Sequence, residues 1–90
     1  MIFALAAAVL LAVSLPSSAS AAEGVLTVNG SGYDDPSGCY PVDSLPGSIA
    51  NRTDAIAEVH TGAECSGSVE WLVYPGETYQ SETAKSVFVL

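Results

Sequence analysis

Hydrophobic and polar positions divide the chain into an apolar N-terminal segment and a longer region of short alternating runs. Residues 1–13 carry no polar side chain, and small residues lead from Ser17 to Ala22. An apolar run that ends at an Ala-x-Ala site is typical of a secretory signal peptide. The run is too short to span a bilayer, which needs about 18 or more apolar residues. The pattern therefore predicts a signal peptide over residues 1–22 and an exported domain over residues 23–90.

Two cleavage positions fit the small residues that precede the exported domain. The triplet Ala19-Ser20-Ala21 places cleavage after Ala21, and the triplet Ser20-Ala21-Ala22 places it after Ala22. Because no Lys or Arg follows Met1 in the apolar run, a buried N-terminal helix and a start codon assigned too late are the alternative interpretations. The remaining chain is large enough for one domain, near the lower size limit for independent folding.

Turn-forming residues cut the exported domain into intervals that are too short for a helix of ordinary length. In most intervals apolar and polar residues alternate, which is typical of half-buried strands. The predicted strands comprise residues 25–28, 39–42, 48–50, 55–60, 69–74 and 86–90, and residues 61–67 form a hairpin loop. Pro41 confines the second strand to a sheet edge or a bulge. Short strands at this spacing predict an all-β fold, a small antiparallel sandwich or a Greek key.

The strongest strand pattern lies in residues 69–74. Alternation with a period of two places Val69, Trp71 and Val73 on one face. The opposite face carries Glu70, Leu72 and Tyr74. Because three large apolar residues favour the first face as the inward one, we expect Trp71 to be buried in the core. The alternative is that Trp71 forms a platform for a ligand.

Cys39 and Cys65 are the only cysteines of the chain. In an exported protein two cysteines predict a disulfide bond. Closing a loop of this length stabilises the fold by roughly 3.5 kcal/mol in the chain-entropy model. A zinc site needs three or four ligands, and the two cysteines with the single histidine are a poor supply. We therefore expect one Cys39–Cys65 disulfide, no metal site and no cofactor.

The exported domain is strongly acidic. All ten acidic residues follow the predicted cleavage site, only Arg52 and Lys85 oppose them, and the net charge is −8. A domain of this charge repels phosphate groups, so nucleic acids and anionic membranes are disfavoured as partners. Basic partners and cations stay open, and solubility is the simpler explanation of the charge.

Residues suited to catalysis are scarce. His60 is the only histidine, and no serine lies in a Gly-x-Ser-x-Gly pattern. We expect His60 to be exposed at a strand end. Asp34 and Asp35 are expected to start a turn ahead of Pro36 rather than to form an acid–base pair. The sequence therefore predicts that the protein is not an enzyme.

The aromatic residues near turns are the remaining candidates for a binding site. Tyr33 and Tyr79 are predicted to form a contact patch for a protein or a carbohydrate. The alternative is that they cover the rims of a small core. Two sequons for N-glycosylation begin at Asn29 and Asn51, and they matter only in a eukaryotic secretory pathway.

The C-terminal half follows a recognisable order of elements. The run Ala-Glu-Val-His at residues 57–60 precedes Cys65-Ser66-Gly67, a strand, the Pro75-Gly76 turn and the run Ser-Val-Phe-Val at residues 86–89. This order resembles one βγ-crystallin Greek-key motif, which has an aromatic-x-Gly corner, a Pro-Gly turn and a closing Ser-Val-x-Val strand. Gly67 matches the corner glycine, and Cys65 replaces the aromatic residue. The chain is also similar to small secreted proteins of actinomycetes.

The resemblance implies a fold more directly than a function. Microbial βγ-crystallins often bind Ca²⁺ through a stretch that corresponds here to residues 81–86. Ser81 stands where that family has a carboxylate or amide, and Lys85 stands where it has a hydroxyl. Since Ca²⁺ requires several oxygen ligands, we expect no calcium site. Some exported members of this fold are similar to proteinase inhibitors or killer-toxin-like proteins, which implies a protein partner.

These observations lead to one functional hypothesis and one alternative. We expect a secreted, non-catalytic module that binds an extracellular protein, with proteinase inhibition as its narrower form. The alternative is a cell-envelope structural protein or an antimicrobial, toxin-like effector. Strong acidity disfavours a membrane-disrupting peptide, which would be basic. The sequence leaves the oligomeric state open.

Overall fold

The structure is a computed structural model that describes residues 21–90, so the predicted signal peptide up to residue 20 lies outside the described part. That part contains eight strands and one short 3₁₀ turn. The strands are β1 (Gly24–Val28), β2 (Ser31–Asp34), β3 (Gly38–Pro41), β4 (Gly47–Thr53), β5 (Ala57–His60), β6 (Val69–Val73), β7 (Thr78–Ser81) and β8 (Ser86–Val89). The 3₁₀ turn, Ala63–Cys65, lies in the hairpin loop between β5 and β6.

The strands form two antiparallel sheets of four strands each. Sheet A has the order β2-β1-β4-β7, and sheet B has the order β3-β8-β5-β6. The first four strands and the last four strands have the same arrangement, and each half supplies its third strand to the sheet of the other half. The sequence shows no internal repeat, so this relation became visible only in the topology. The predicted fold class, a small antiparallel sandwich with one disulfide, is confirmed.

The core lies between the inner faces of the two sheets. Alternate residues of each central strand point inward, so each sheet contributes one apolar row. The fully buried larger apolar side chains are Leu26 and Ile49 from sheet A and Val59, Val73 and Val87 from sheet B. Each such side chain contributes about 1.5–3 kcal/mol when it leaves water. The outer faces of the two sheets point away from this core, and they differ in chemistry.

A buried amide connects the two sheets. Asn51 is 0% exposed, and its Nδ2 donates to the backbone oxygens of Ala55 and Val73, each at 2.8 Å. Its Oδ1 accepts from the backbone N–H of Thr53 at 3.0 Å and from the Thr53 hydroxyl at 2.6 Å. The predicted strand over residues 48–50 is therefore too short, because β4 continues through Thr53. The same burial closes the Asn51 sequon to modification in the folded chain.

Two strands were missed in the sequence. β2 and β7 contain mainly small and polar residues, and neither overlaps a predicted strand. Both are edge strands of sheet A, and each directs one tyrosine, Tyr33 or Tyr79, against the core. A strand that pairs on one side only and faces the core with few residues carries a weak apolar alternation.

A bulge in β6 changes which residues share a face. Val59 pairs with Trp71, but the next residue, His60, pairs with Val69, so Glu70 is an extra residue in β6. Such a residue shifts all side chains beyond it to the other face. Val69 therefore shares the outer face with His60, whereas Trp71 stays on the inner side with Val59. The predicted common face of Val69 and Trp71 is wrong for this reason.

Trp71 is 54% exposed, so the expectation that it is buried is also wrong. Its side of the strand was assigned correctly, since it shares that side with the buried Val73. However, β6 is the edge strand of sheet B, and the space between the sheets opens to solvent there. Alternation indicates the side of a strand, but the strand's position in the sheet decides how deeply that side is buried.

The predicted Cys39–Cys65 disulfide is confirmed. The bond joins β3 to the 3₁₀ turn, with the two Cα atoms 6.0 Å apart. Cys39 pairs with Phe88 in the β3–β8 ladder, on the outer face of sheet B. The loop between β5 and β6 therefore folds over one end of that face and is held there. Ser86 Oγ reinforces the contact, because it donates to Gly62 O and accepts from Cys65 N–H.

Substitutions of Trp71 and Leu26 test the difference between edge and core. We expect Leu26→Ala to lower the free energy of unfolding by about 2–5 kcal/mol, since Leu26 is 0% exposed. Trp71→Ala should cost only about 1–2 kcal/mol, because half of the indole is already in water. Urea unfolding of both variants measures the difference. A loss for Trp71→Ala equal to that for Leu26→Ala would contradict the edge position.

The disulfide makes a separate contribution. The double variant Cys39→Ser, Cys65→Ser should lose about 3–4 kcal/mol of unfolding free energy, since the unfolded chain regains the freedom of the open loop. Urea unfolding measures the loss, with the reduced native protein as a control that should match the double variant. An unchanged midpoint in both would show that the bond does not support the fold.

Candidate functional site

The outer faces of the two sheets have opposite chemistry. Sheet A presents mainly polar residues, which include Thr27, Ser48, Arg52, Thr78 and Gln80. Sheet B presents Val69, Leu72 and Phe88, of which Val69 and Leu72 are exposed, and the exposed Leu90 directly follows β8. Large apolar side chains gathered on one side of a small protein are uncommon unless they contact something. The outer face of sheet B and its edge are therefore the candidate functional site.

A shallow groove follows the β6 edge of this face. We call it the β6 groove, and its volume is about 610 Å³. Its lining consists of Glu58, Val69, Glu70, Trp71, Leu72 and Tyr74. Tyr74 is 49% exposed and Val69 is 46% exposed. The groove thus combines two aromatic rings, two aliphatic side chains and two carboxylates.

Trp71 is held in place by a second aromatic ring across the sandwich. Its ring lies 5.3 Å from that of Tyr79 in β7, and the two planes differ by only 5°. This parallel stacking joins the edge strand of sheet B to the edge strand of sheet A. One face of the indole is covered by Tyr79, so the exposed part of Trp71 is a pre-positioned surface.

Glu70 forms the polar contact between the same two edges. Its Oε2 accepts from the Tyr79 hydroxyl at 2.8 Å and from the Ser81 hydroxyl at 2.6 Å, and its Oε1 accepts from the Thr83 hydroxyl at 2.6 Å. The bulge makes this possible, because it turns Glu70 towards β7. An inward charge and a bulge both discourage a foreign strand from pairing with a sheet edge. Recognition at β6 is therefore expected to use side chains rather than the strand backbone.

The three hydroxyl groups change the acidity of this site. Partial burial raises the pKa of the Glu70 carboxyl, but the hydrogen bonds from Ser81, Thr83 and Tyr79 lower it more, so the pKa lies below its ordinary value of 4.5. The pKa of the Tyr79 phenol is raised from its ordinary 10.0, through the hydrogen bond to Glu70, burial and the charge of the carboxylate. The site therefore stays ionised at Glu70 and neutral at Tyr79 at neutral pH.

The predicted contact patch of Tyr33 and Tyr79 is not a single surface. The two residues lie on β2 and β7, the opposite edges of sheet A, separated by three strand spacings of about 4.8 Å each. Tyr33 packs on Tyr40 with ring centroids 4.4 Å apart, as Tyr79 packs on Trp71. Each tyrosine thus covers one open side of the core, which is the alternative that the sequence left open.

His60 is buried, contrary to the expectation of an exposed ring. It is 8% exposed at the end of β5, where the disulfide-bound loop packs. Its Nε2 lies 3.2 Å from Glu58 Oε1, and its buried Nδ1 has no hydrogen-bond partner among the described residues. Within residues 21–90 no serine hydroxyl bonds to the ring, so this part of the chain assembles no Ser-His-Asp arrangement around it.

The acidic pair of the sequence has structural roles. Asp34 ends β2, and Asp35 adopts a left-handed conformation with φ of 47° just before Pro36. The Asp35 Oδ1 accepts from the backbone N–H of Gly24 at 3.1 Å. This contact fixes the start of β1. Over residues 21–90, no group of three or more His, Cys, Asp or Glu side chains is arranged to hold a metal ion.

Comparison with protein-family models, with curated proteins and with solved structures finds no match for this chain. Within residues 21–90 there is also no helix whose length and apolar character would let it cross a membrane.

The lowered pKa of Glu70 predicts how stability depends on pH. A group whose pKa is lower in the folded than in the unfolded chain stabilises the fold above the unfolded pKa, and this stabilisation is lost as the pH falls through the folded value. Glu70→Gln should therefore lower Tm at pH 7, by about 4–8 °C if about 1 kcal/mol is lost. The difference from the native protein should shrink at pH 3.

Thermal unfolding followed by circular dichroism at both pH values measures this effect. Glu82→Gln is the matched control, because it removes the same charge from an exposed side chain in the loop between β7 and β8. A Tm difference for Glu70→Gln that stays constant from pH 7 to pH 3 would contradict the role of the carboxylate.

Proposed function

We propose that the protein is an extracellular, non-catalytic module that binds another protein through the β6 groove and the outer face of sheet B. The difference between the two outer faces carries this proposal. Apolar side chains such as Leu72 and Tyr74 are kept in water on sheet B, and they gain free energy when a partner covers them. Sheet A offers no comparable apolar surface.

The rigidity of the surface supports the same function. The groove lies on a strand that is backed by the core, and the adjoining loop is fixed by the Cys39–Cys65 bond. A surface that is ordered before binding loses less conformational entropy in the complex. The stacking of Trp71 on Tyr79 adds to this order, since it fixes the orientation of the largest exposed ring.

The proposed location outside the cell rests on the disulfide and on the predicted signal peptide. Structural disulfides persist mainly in oxidising compartments. Ala22 is buried, and its backbone N–H donates to Pro36 O at 3.0 Å. Of the two cleavage positions, the one after Ala21 keeps this residue in the mature protein, so we favour it.

The resemblance to one βγ-crystallin Greek-key motif is part of this proposal. The corner glycine, Gly67, has φ of 73°, and a Cβ atom there would lie 2.9 Å from the backbone nitrogen of Gly62. The Pro75-Gly76 turn follows β6, and the closing Ser-Val-Phe-Val run forms β8. These positions support the resemblance, which concerns the fold and leaves the partner to be argued from the surface.

Proteinase inhibition is the narrower form of the proposal. Glu64 and Cys65 in the disulfide-bound loop have φ of 56° and 58°, which is a left-handed rather than an extended conformation. Peptide segments that enter binding clefts are generally extended or helical. An inhibitory contact would therefore involve the β6 groove rather than this loop.

Paired variants of the two outer faces test the proposed function. The native protein, Leu72→Asp and Gln80→Asp are immobilised and exposed to culture supernatant of the producing cells. Both variants add one negative charge, but only Leu72→Asp alters the outer face of sheet B. We expect one extracellular protein to bind the native protein and Gln80→Asp and to be lost from Leu72→Asp, with binding confirmed for the purified pair by calorimetry. Equal retention by both variants would contradict the proposed surface.

A further inference from the structure

We propose that the β6 groove binds an arginine side chain from a cationic segment of the partner protein. This inference rests on the proposed function and specifies the chemistry of the partner. It follows from three properties of the groove, namely the free aromatic surface, two carboxylates without a strong cationic partner, and an edge that resists pairing with a strand.

The aromatic surface fits a planar cation. Trp71 and Tyr74 line the same groove and are 54% and 49% exposed. Tyr79 covers one side of the indole, so a ligand meets a single oriented ring. A guanidinium group stacks on such a ring through its planar shape and is attracted by the negative ring face. The methylene groups of an arginine side chain can pack on the neighbouring Leu72 and Val69 while the guanidinium contacts the ring.

The carboxylates provide the complementary charge. Glu58 and Glu70 both line the groove, and no Lys or Arg nitrogen lies within 4.0 Å of either carboxylate in the described part of the chain. The one hydrogen-bond partner of the Glu58 carboxylate there is Nε2 of His60, which leaves Oε2 available. Both carboxylate oxygens of Glu70 already accept hydrogen bonds from three hydroxyl groups. Its negative charge therefore attracts a cation in the groove without a direct contact.

The cations of the chain lie elsewhere. Arg52 is in β4 on the outer face of sheet A, and Lys85 lies just before β8. The net charge of −8 adds a long-range attraction for a basic partner. The apolar groove with uncompensated carboxylates therefore favours a segment that carries arginine between apolar residues.

A second copy of the chain is a poorer occupant. Two copies related by symmetry would bring the two Glu58 side chains and two net charges of −8 together. The bulge at Glu70 and its inward carboxylate also oppose pairing between two β6 strands. A neutral carbohydrate can stack on Trp71 and donate a hydroxyl group to Glu58, but it carries no charge to compensate the two carboxylates.

The single tryptophan makes the test direct, since all indole fluorescence reports on this groove. The probe is a capped peptide in which three arginines alternate with valines, and its matched control has citrulline in place of each arginine. Citrulline keeps the shape and removes the charge. We expect saturable quenching or shifting of Trp71 emission by the arginine peptide, with at least about fivefold weaker binding of the citrulline peptide. Added salt should weaken the binding of the arginine peptide and leave the binding of the citrulline peptide unchanged.

Variants locate the binding. Glu58→Gln should weaken binding of the arginine peptide by about threefold or more. Glu82→Gln removes the same charge from a turn away from the groove, and it should leave the affinity unchanged within error. Calorimetry, which does not depend on Trp71 emission, should show weaker binding of the arginine peptide by Trp71→Phe and by Tyr74→Ser than by the native protein. Circular dichroism confirms that each variant is folded.

Several results would overturn the inference. These are equal binding of the arginine and citrulline peptides, no saturable binding at millimolar peptide, no effect of Glu58→Gln, or tighter binding of cellotriose than of the peptide. If any of them occurs while an extracellular protein is still lost from Leu72→Asp, the cationic chemistry is wrong and the protein-binding function stands. If Leu72→Asp retains that protein, the proposed function fails as well.

Discussion

Each sheet of this sandwich depends on a strand from the other half of the chain. β3 completes the sheet of β5, β6 and β8, and β7 completes the sheet of β1, β2 and β4. Neither half can satisfy its backbone hydrogen bonds or cover its apolar row without the other. The side chain of Asn51 strengthens this dependence, because it joins β4 of one sheet to Val73 of the other within the core. The fold is therefore expected to form as one cooperative unit.

The exchange of strands also determines where the molecule is open. Two stacked sheets of four strands have two lateral sides, and each side lies between two edge strands. An aromatic pair covers each of them, Tyr33 with Tyr40 on one side and Trp71 with Tyr79 on the other. The second side has the additional contact of Glu70 with three hydroxyl groups. A small core thus gains aromatic cover at the cost of leaving half of Trp71 in water.

Structural roles and recognition meet in β6. The bulge that brings Glu70 to β7 also moves Val69 to the outer face, next to Leu72. The stack that closes the core presents the free side of the indole to solvent. The proposed binding surface therefore uses residues that also stabilise the fold, because Trp71 and Glu70 line the groove and join the edge strands β6 and β7. This economy fits a small domain that is near the lower size limit for a stable fold.

The sequence by itself determined the all-β class, six of the strands, the hairpin after His60 and the disulfide. Alternation, turn residues and the number of cysteines are local properties, and each depends on few neighbours. Trp71 and His60 show where this ends. Pro41 marks β3 as an edge strand, but nothing in the sequence marks β6 as one, so Trp71 was predicted in the core and is half exposed. His60 was predicted in water and is buried, because the disulfide-bound loop packs over the end of the central strand β5. The polar strands β2 and β7 were missed because only their neighbours in the sheet make them strands.

The composition of the β6 groove was also decided by the tertiary structure. Leu72, Tyr74 and Val69 meet Glu58 only because β5 and β6 pair with a one-residue bulge, and a register shift leaves no mark in composition or spacing. Tyr33 and Tyr79 both lie near turns in the sequence, yet the order of the strands places them at opposite edges of sheet A. Local pattern fixes what each segment can form, whereas the sheet order decides which side chains are covered and which remain free to bind.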